Sequence, residues 1–191
     1  MSRILSPKKN APDHDLVMTP EILAIDIVDH YLSDLDTTKL TILDPSSGSG
    51  AFFNNFPPCK KLKCELSEGT NFLLFNERVD WIITNPPWSR MREFLTHGMQ
   101  IADNIVYLSI LNHFTTKARL RDIREARFGI KELYGVDTPK TDDWPQSGFQ
   151  LVAAHLRRNY DGPIFLSGTL QPSVPQISCL RVSGDKHVCS L

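Results

Sequence analysis

The chain has 191 residues, 41% hydrophobic, 23% charged and 9% aromatic, which suits one sizeable core and excludes a disordered or collagen-like chain. With 21 Lys and Arg against 22 Asp and Glu, the net charge of −1 excludes a histone-like basic protein. Contact with a polyanion therefore has to come from local patches. No stretch reaches the roughly 20 apolar residues that cross a bilayer, and the N-terminus MSRILSPKKNAPDHD lacks the apolar run of a secretory signal. The four cysteines (Cys59, Cys64, Cys179, Cys189) form no C-x-x-C pair, and the six histidines are scattered. The expectation is a reduced, cytoplasmic chain that holds no metal and no membrane anchor.

Residues 1–17 are polar and expected to be flexible. Thr19-Pro20-Glu21 reads as a helix start, with Thr19 as N-cap, Pro20 at the first helical position and Glu21 near the dipole's positive end. Ile22, Ile25, Val28 and Leu32 recur at helical spacing, and this helix should end near Leu35. Leu40-Thr41-Ile42-Leu43, stopped by Asp44-Pro45, reads as a buried strand. The turn SSGSG follows, and Ala51-Phe52-Phe53 begins a helix closed by Pro57-Pro58. Lys61 to Leu66 and Val79 to Thr84 are the next strands, Ser89 to Ala102 a helix, and Ile105 to Leu111 a strand. Thr116 to Arg127 is a charged helix, Ile130 to Val136 a strand, and Thr138 to Ser147 a loop. Phe149–Leu156 and Pro163–Leu170 are expected to pair as an antiparallel hairpin across Asn159-Tyr160-Asp161-Gly162. Residues 18–170 thus form the domain, and residues 171–191 a loosely held tail.

Short apolar strands alternating with helices imply an α/β fold: a doubly wound, mostly parallel, Rossmann-like sheet with a C-terminal antiparallel hairpin. Such sheets bind ligands beyond the carboxyl ends of their strands. Two of those ends carry DPSSGSG and NPPW.

In the first, Gly48 and Gly50 permit a tight turn and close approach of a ligand. The loop lacks the Lys-Ser/Thr ending of a phosphate-binding loop and the third glycine of the dinucleotide fingerprint. Asp44 would repel a diphosphate but accept from an ammonium group. Glu65, 21 residues after Asp44, stands where a carboxylate can accept from ribose hydroxyls. Together they suggest a nucleoside bearing a cationic side group, a description that fits S-adenosylmethionine. In the second motif, two prolines stiffen the backbone and leave carbonyls free to accept. The amide oxygen of Asn85 and the carbonyl of Pro86 suit the two N–H bonds of an exocyclic amine, with Trp88 stacked on the plane that bears it.

The chain resembles the S-adenosylmethionine-dependent N6-adenine methyltransferases, whose signature is (N/D)PP(Y/F/W). The resemblance runs from about Met18 to Leu156. It rests on TPEIL, DPSSGSGAF, Glu65, NFLLF and DWIITNPPW, in the gamma order, and is similar to the compact enzymes of phages and mobile elements. It implies the class I methyltransferase fold and a cofactor site of Thr19, Pro20, Asp44, Pro45, Ser46, Gly48, Gly50, Phe52, Glu65, Asn71 and Phe72. It implies catalysis by Asn85, Pro86, Pro87 and Trp88 on adenine in double-stranded DNA, as in restriction-modification. Two departures stand out. Asn71 occupies a position where the family usually has Asp, and little chain is left for a target-recognition domain.

Other features stay open between two readings. Lys117–Lys131 holds six basic residues against two acidic ones, either a phosphate-contacting face using Arg119, Arg121 and Arg124 or a solvated helix with internal ion pairs. Phe149 is either a second stacking wall or core. Pro58-Cys59 lies in the wrong place for a cytosine-C5 nucleophile. Methylation of RNA adenine or of a protein glutamine amide, and a cofactor-binding partner subunit of a methyltransferase complex, remain as competing functions, as does a homodimer.

Overall fold

The computed structural model describes residues 17–141, 144 and 148–170. The expected elements within 1–16, the full course of the loop between Thr138 and Ser147, Cys179, Cys189 and the tail at 171–191 lie outside them. Helix α1 spans Glu21–Leu32, strand β1 Thr41–Asp44, α2 Ala51–Asn55, β2 Lys60–Lys63, β3 Val79–Thr84, α3 Met91–Ile101 and β4 Ala102–Ile110. The chain continues through α4 (Asn112–Thr115), α5 (Lys117–Glu125), β5 (Phe128–Val136), β6 (Leu151–Arg158) and β7 (Phe165–Gly168). Short 3-10 turns cover Leu66–Glu68, Phe72–Leu74 and Trp88–Arg90.

The seven strands form one sheet in the order β2-β1-β3-β4-β6-β5-β7. Pairs β1–β2, β1–β3, β3–β4 and β5–β7 are parallel; β6 runs against both β4 and β5. The antiparallel addition is therefore present but made differently from the expected hairpin. Strand β6 inserts between β4 and β5, and β7 pairs with the far edge of β5. Burial explains the choice: Leu151 through Leu156 are all buried, so this run needs a partner on each side. Ile164, Phe165 and Leu166 are half exposed and suit an edge.

Each face of the sheet is covered by a separate apolar layer. One joins Ala24, Ile27 and Val28 of α1 and Phe52 of α2 to Ile42, Ile83, Val106 and Leu108. The other joins Phe94, Leu95 and Met99 of α3 and Ile123 of α5 to Ile82, Ile105, Leu133 and Leu156. Several boundaries moved. Pro20 itself caps α1, its carbonyl accepting from the Leu23 and Ala24 N–H groups at 3.1 Å, so Thr19 is not the N-cap. Helix α1 stops at Leu32 rather than near Leu35. Strand β4 begins directly where α3 ends.

Leu156 is fully buried in the layer under α3 and α5. Leu156→Ala is expected to lower the unfolding free energy by about 2–5 kcal/mol in urea denaturation, whereas truncating a free edge residue would cost little.

Candidate active site

Strands β1 and β3 are neighbours whose onward connections diverge, β1 to β2 on one side and β3 to β4 on the other. That reversal opens a crevice at their carboxyl ends. Asp44 closes β1 and Thr84 closes β3, both fully buried. Thr84 Oγ1 donates to Asp44 Oδ1 at 2.7 Å, and the Ser46 N–H reaches the same oxygen at 3.4 Å. Asp44 Oδ2 has no hydrogen-bond partner. Burial, opposed only in part by the bonds from Thr84 and Ser46 and by the nearby Phe53 N–H, pushes this carboxyl up to about 7.

The glycine loop sits directly above. Gly48 and Gly50 have φ of 49° and 90°, the left-handed region that side chains avoid. Space is short as well: a Cβ at Gly48 would lie 2.9 Å from the Met18 sulfur, and one at Gly50 2.8 Å from Asn54 Nδ2. The Gly48 N–H donates to Glu65 Oε2 at 2.7 Å, tying the loop to the end of β2, while Glu65 Oε1 accepts from Ser67. Partial burial works to raise the Glu65 carboxyl, but the donors from Gly48 and Ser67, with Lys63 nearby, hold it below its usual value. Thr19, Ser46, Gly48, Phe52, Glu65 and Asn85 line a single cleft. Ser47 Oγ, in the same lining, is a second buried polar atom without a partner.

Across this cleft stands the tetrapeptide. Trp88 Nε1–H donates to Asn85 Oδ1 at 3.2 Å, and Asn85 Nδ2 donates to the Val17 carbonyl at 3.5 Å. Since an indole nitrogen only donates, the amide oxygen must face Trp88. Pro86 is buried, and the Pro87 carbonyl accepts from the Arg90 N–H at 3.0 Å. The Trp88 ring meets His113 edge-on at 6.0 Å and Trp144 at 6.4 Å.

His113 and Trp144 escaped the sequence reading. Each follows the carboxyl end of a strand, β4 or β5, and that position was the available signal. His113 pairs through Nδ1 with Ser109 Oγ at 2.7 Å, and burial followed by the Arg119 charge lowers its pKa, which keeps the ring neutral.

Other expected site residues are placed differently. Pro20, Asp44, Pro45 and Gly50 are not among the residues that line the cleft, although each is close in sequence to one that does. Asn71 uses Oδ1 to cap the turn Phe72–Leu74, accepting from the Leu73 N–H at 3.0 Å. The Phe72 ring is buried against Phe94 and His97, so it serves the core rather than the cleft. Phe149 is half exposed, which goes against the core reading. Within α5, Arg119 is largely buried, bonded to the His113 carbonyl and paired with Asp122. Arg121 lies between Asp122 and Glu125. Arg124 is exposed. Internal pairing thus accounts for two of the three arginines.

No protein-family model and no curated protein matches the sequence. Solved structures do match in fold. A candidate RNA methyltransferase from Pyrococcus horikoshii superposes with a TM-score of 0.61 at 17% identity, over 82% of this chain and 95% of that one. The magnesium protoporphyrin IX methyltransferase of Synechocystis, solved with S-adenosylmethionine bound, gives 0.56 at 10% identity over 72% and 79%. The M protein of the type I restriction enzyme EcoKI gives 0.54 at 12% identity, over 74% of this chain and 44% of that one. At such identities the likeness is one of architecture: this chain has the class I methyltransferase fold.

Proposed function

We propose that the chain is an S-adenosylmethionine-dependent methyltransferase acting on the exocyclic N6 amine of adenine in double-stranded DNA. The observation that carries this reading is the meeting of the glycine loop and Asn85 in one cleft, at strand ends tied by the Thr84–Asp44 bond. The residues present suit the cofactor. Asp44 Oδ2 and Ser47 Oγ are buried polar atoms in want of a partner, Asp44 supplies negative charge for a cationic ligand, and Glu65 offers acceptors to a ribose. Thr19, Ser46, Gly48 and Phe52 complete its walls. When bound, the cofactor supplies an electrophilic methyl group on a cationic sulfur.

The chain's own residues then have to make a poor nucleophile competent. The adenine amine is weak because its lone pair is delocalised into the ring. Asn85 Oδ1 and the Pro86 carbonyl, by accepting its two N–H bonds, localise that pair toward the methyl group, and the surplus proton leaves to solvent. Trp88 fixes the Asn85 amide through its indole N–H and offers its ring to the base. His113, neutral and held by Ser109, adds a polar edge beside that ring. Catalysis of this kind depends on positioning and electrostatics, with no covalent enzyme intermediate. A base in duplex DNA must first leave the stack, which the Trp88 ring, met edge-on by Trp144 and His113, favours by replacing lost stacking. With Arg119 and Arg121 engaged internally, α5 contributes less to phosphate contact than its composition promises.

Labelled S-adenosylmethionine incubated with unmethylated DNA, RNA or protein tests this reading. Label is expected in DNA as N6-methyladenine, reduced about a hundredfold or more by Asn85→Ala with S-adenosylhomocysteine affinity kept. Label confined to RNA or protein overturns the substrate, and cofactor binding without transfer overturns the activity.

A second expectation follows from Asp44. Its carboxyl, ordinarily at 3.8, titrates near 7 in the folded protein. Between those values the folded state holds a proton that the unfolded state has lost, so stability falls as pH rises from about 4 to about 7. The cationic cofactor prefers the ionised form, so its affinity should rise over the upper part of that range. Asp44→Asn should flatten both profiles, measured by denaturation and by titration calorimetry.

A further inference from the structure

The sheet has a second depression at its opposite end, on the face that carries α1. Helix α1 stops at Leu32, and the chain turns away to β1, leaving the amino-terminal part of that face uncovered. The resulting cleft, about 450 Å³, has Trp81, Asn104 and His155 in its lining, with Lys131 and Arg157 among them. None of these residues lines the glycine-loop cleft.

Its hydrogen bonding is incomplete in a definable way. Asn104 Nδ2 donates to the Asp80 carbonyl at 3.3 Å, which turns Oδ1 toward His155 Nε2, 3.1 Å away. Nε2 must then carry the proton, and Nδ1 of the neutral ring is a bare acceptor. His155 is 2% exposed and Nδ1 has no partner. Burial first, then the charges of Lys131, Arg157 and His30, push its pKa down to about 3, so protonation does not satisfy it. A buried lone pair of this kind wants a donor.

Its charges are unbalanced in availability. Glu132 Oε1 already accepts from His30 Nε2 at 2.8 Å and from Ser167 Oγ, and Asp36 Oδ1 accepts from Thr38. Among the described residues, Lys131 and Arg157 form no ion pair. A β-bulge between Ile130 and Glu132 breaks the regular alternation at Lys131. The rings of Trp81 and His155, their centroids 5.0 Å apart and inclined at 31°, pack against one another in the same lining as the cations.

A fitting ligand presents one N–H donor and carries an anion. We propose that this cleft binds a nucleotide, an exocyclic base amine donating to His155 Nδ1 and the phosphate held by Lys131 and Arg157. The proposal stands apart from methyl transfer and holds whether or not that reading does. The same chemistry is offered by a free mononucleotide and by the phosphorylated end of a strand.

Titration calorimetry with 5′-AMP tests it on the full chain. Changing Lys131 and Arg157, both at least partly exposed, to Gln in one protein should weaken AMP binding about tenfold or more. Each titration is run with S-adenosylhomocysteine in excess, which fills the glycine-loop cleft and should leave AMP binding to this one unchanged. Adenosine, which lacks the phosphate, and purine riboside 5′-monophosphate, which lacks the amine, should each bind about tenfold more weakly than AMP. Tighter binding of a 5′-phosphorylated dinucleotide than of AMP assigns the site to a strand end; equal or weaker binding assigns it to the free nucleotide. Absence of AMP binding, or binding that survives the double change, or binding displaced by S-adenosylhomocysteine, overturns the proposal.

Discussion

The bond from Thr84 Oγ1 to Asp44 Oδ1 joins the tips of the two strands on which the site depends. Backbone pairing sets Ile42 opposite Trp81 and Leu43 opposite Ile82, and beyond it the Asp44 and Thr84 side chains continue the tie, one residue out of that register. Because the chain departs in opposite directions from these tips, the loops that follow them face each other across the crevice. The glycine loop needs positive φ twice to turn over Asp44, and the prolines after Thr84 hold Asn85 at its edge. A fully buried carboxyl with one strong neutral donor is a costly arrangement for the isolated fold. Such a cost concentrated where two unusual loops converge fits the proposed binding of a cationic cofactor there.

Helix α1 organises the face on which both clefts lie. Its Tyr31 hydroxyl donates to the Ala153 carbonyl, and its His30 pairs with Glu132. Tyr134 returns a bond from β5 to Asp26, so the helix is moored to β5 and β6 along its length. Its start therefore presents Val17 to Asn85 and Met18 to Gly48 on one side. Its early end leaves the sheet open on the other. Packing on the opposite face, under α3 and α5, shows no comparable opening onto buried polar atoms among the described residues other than Arg119 Nη1, which lies beside Asp122.

Much of this was legible in the sequence because it rests on local signals. Strand β3 occupies Val79–Thr84 as expected, since a continuous apolar run ended by proline has few alternatives. The glycines, Glu65 and Asn85 could be grouped before any coordinates because each follows or ends a recognisable strand. What escaped depends on distant partners. The pairing of β7 with β5 instead of β6 follows from which run can be buried on both sides, and short-range turn signals at Asn159–Gly162 carry no such information. Charge composition likewise could not separate an ion-paired α5 from a phosphate-contacting one, because Asp122 gathers Arg92 from α3 as well as Arg119. Phe72 and Asn71 were read from the resemblance alone, and their side chains answer to Phe94 and to the Leu73 amide.

The central claim is that the strand-tip bond builds the cofactor cleft. Thr84→Val removes the donor while keeping the shape of the side chain, and S-adenosylhomocysteine binding by titration calorimetry reads the consequence. The account predicts an affinity about tenfold lower than that of the unchanged protein, together with a stability loss of about 1 kcal/mol. An affinity equal to that of the unchanged protein, with the fold intact, would contradict it.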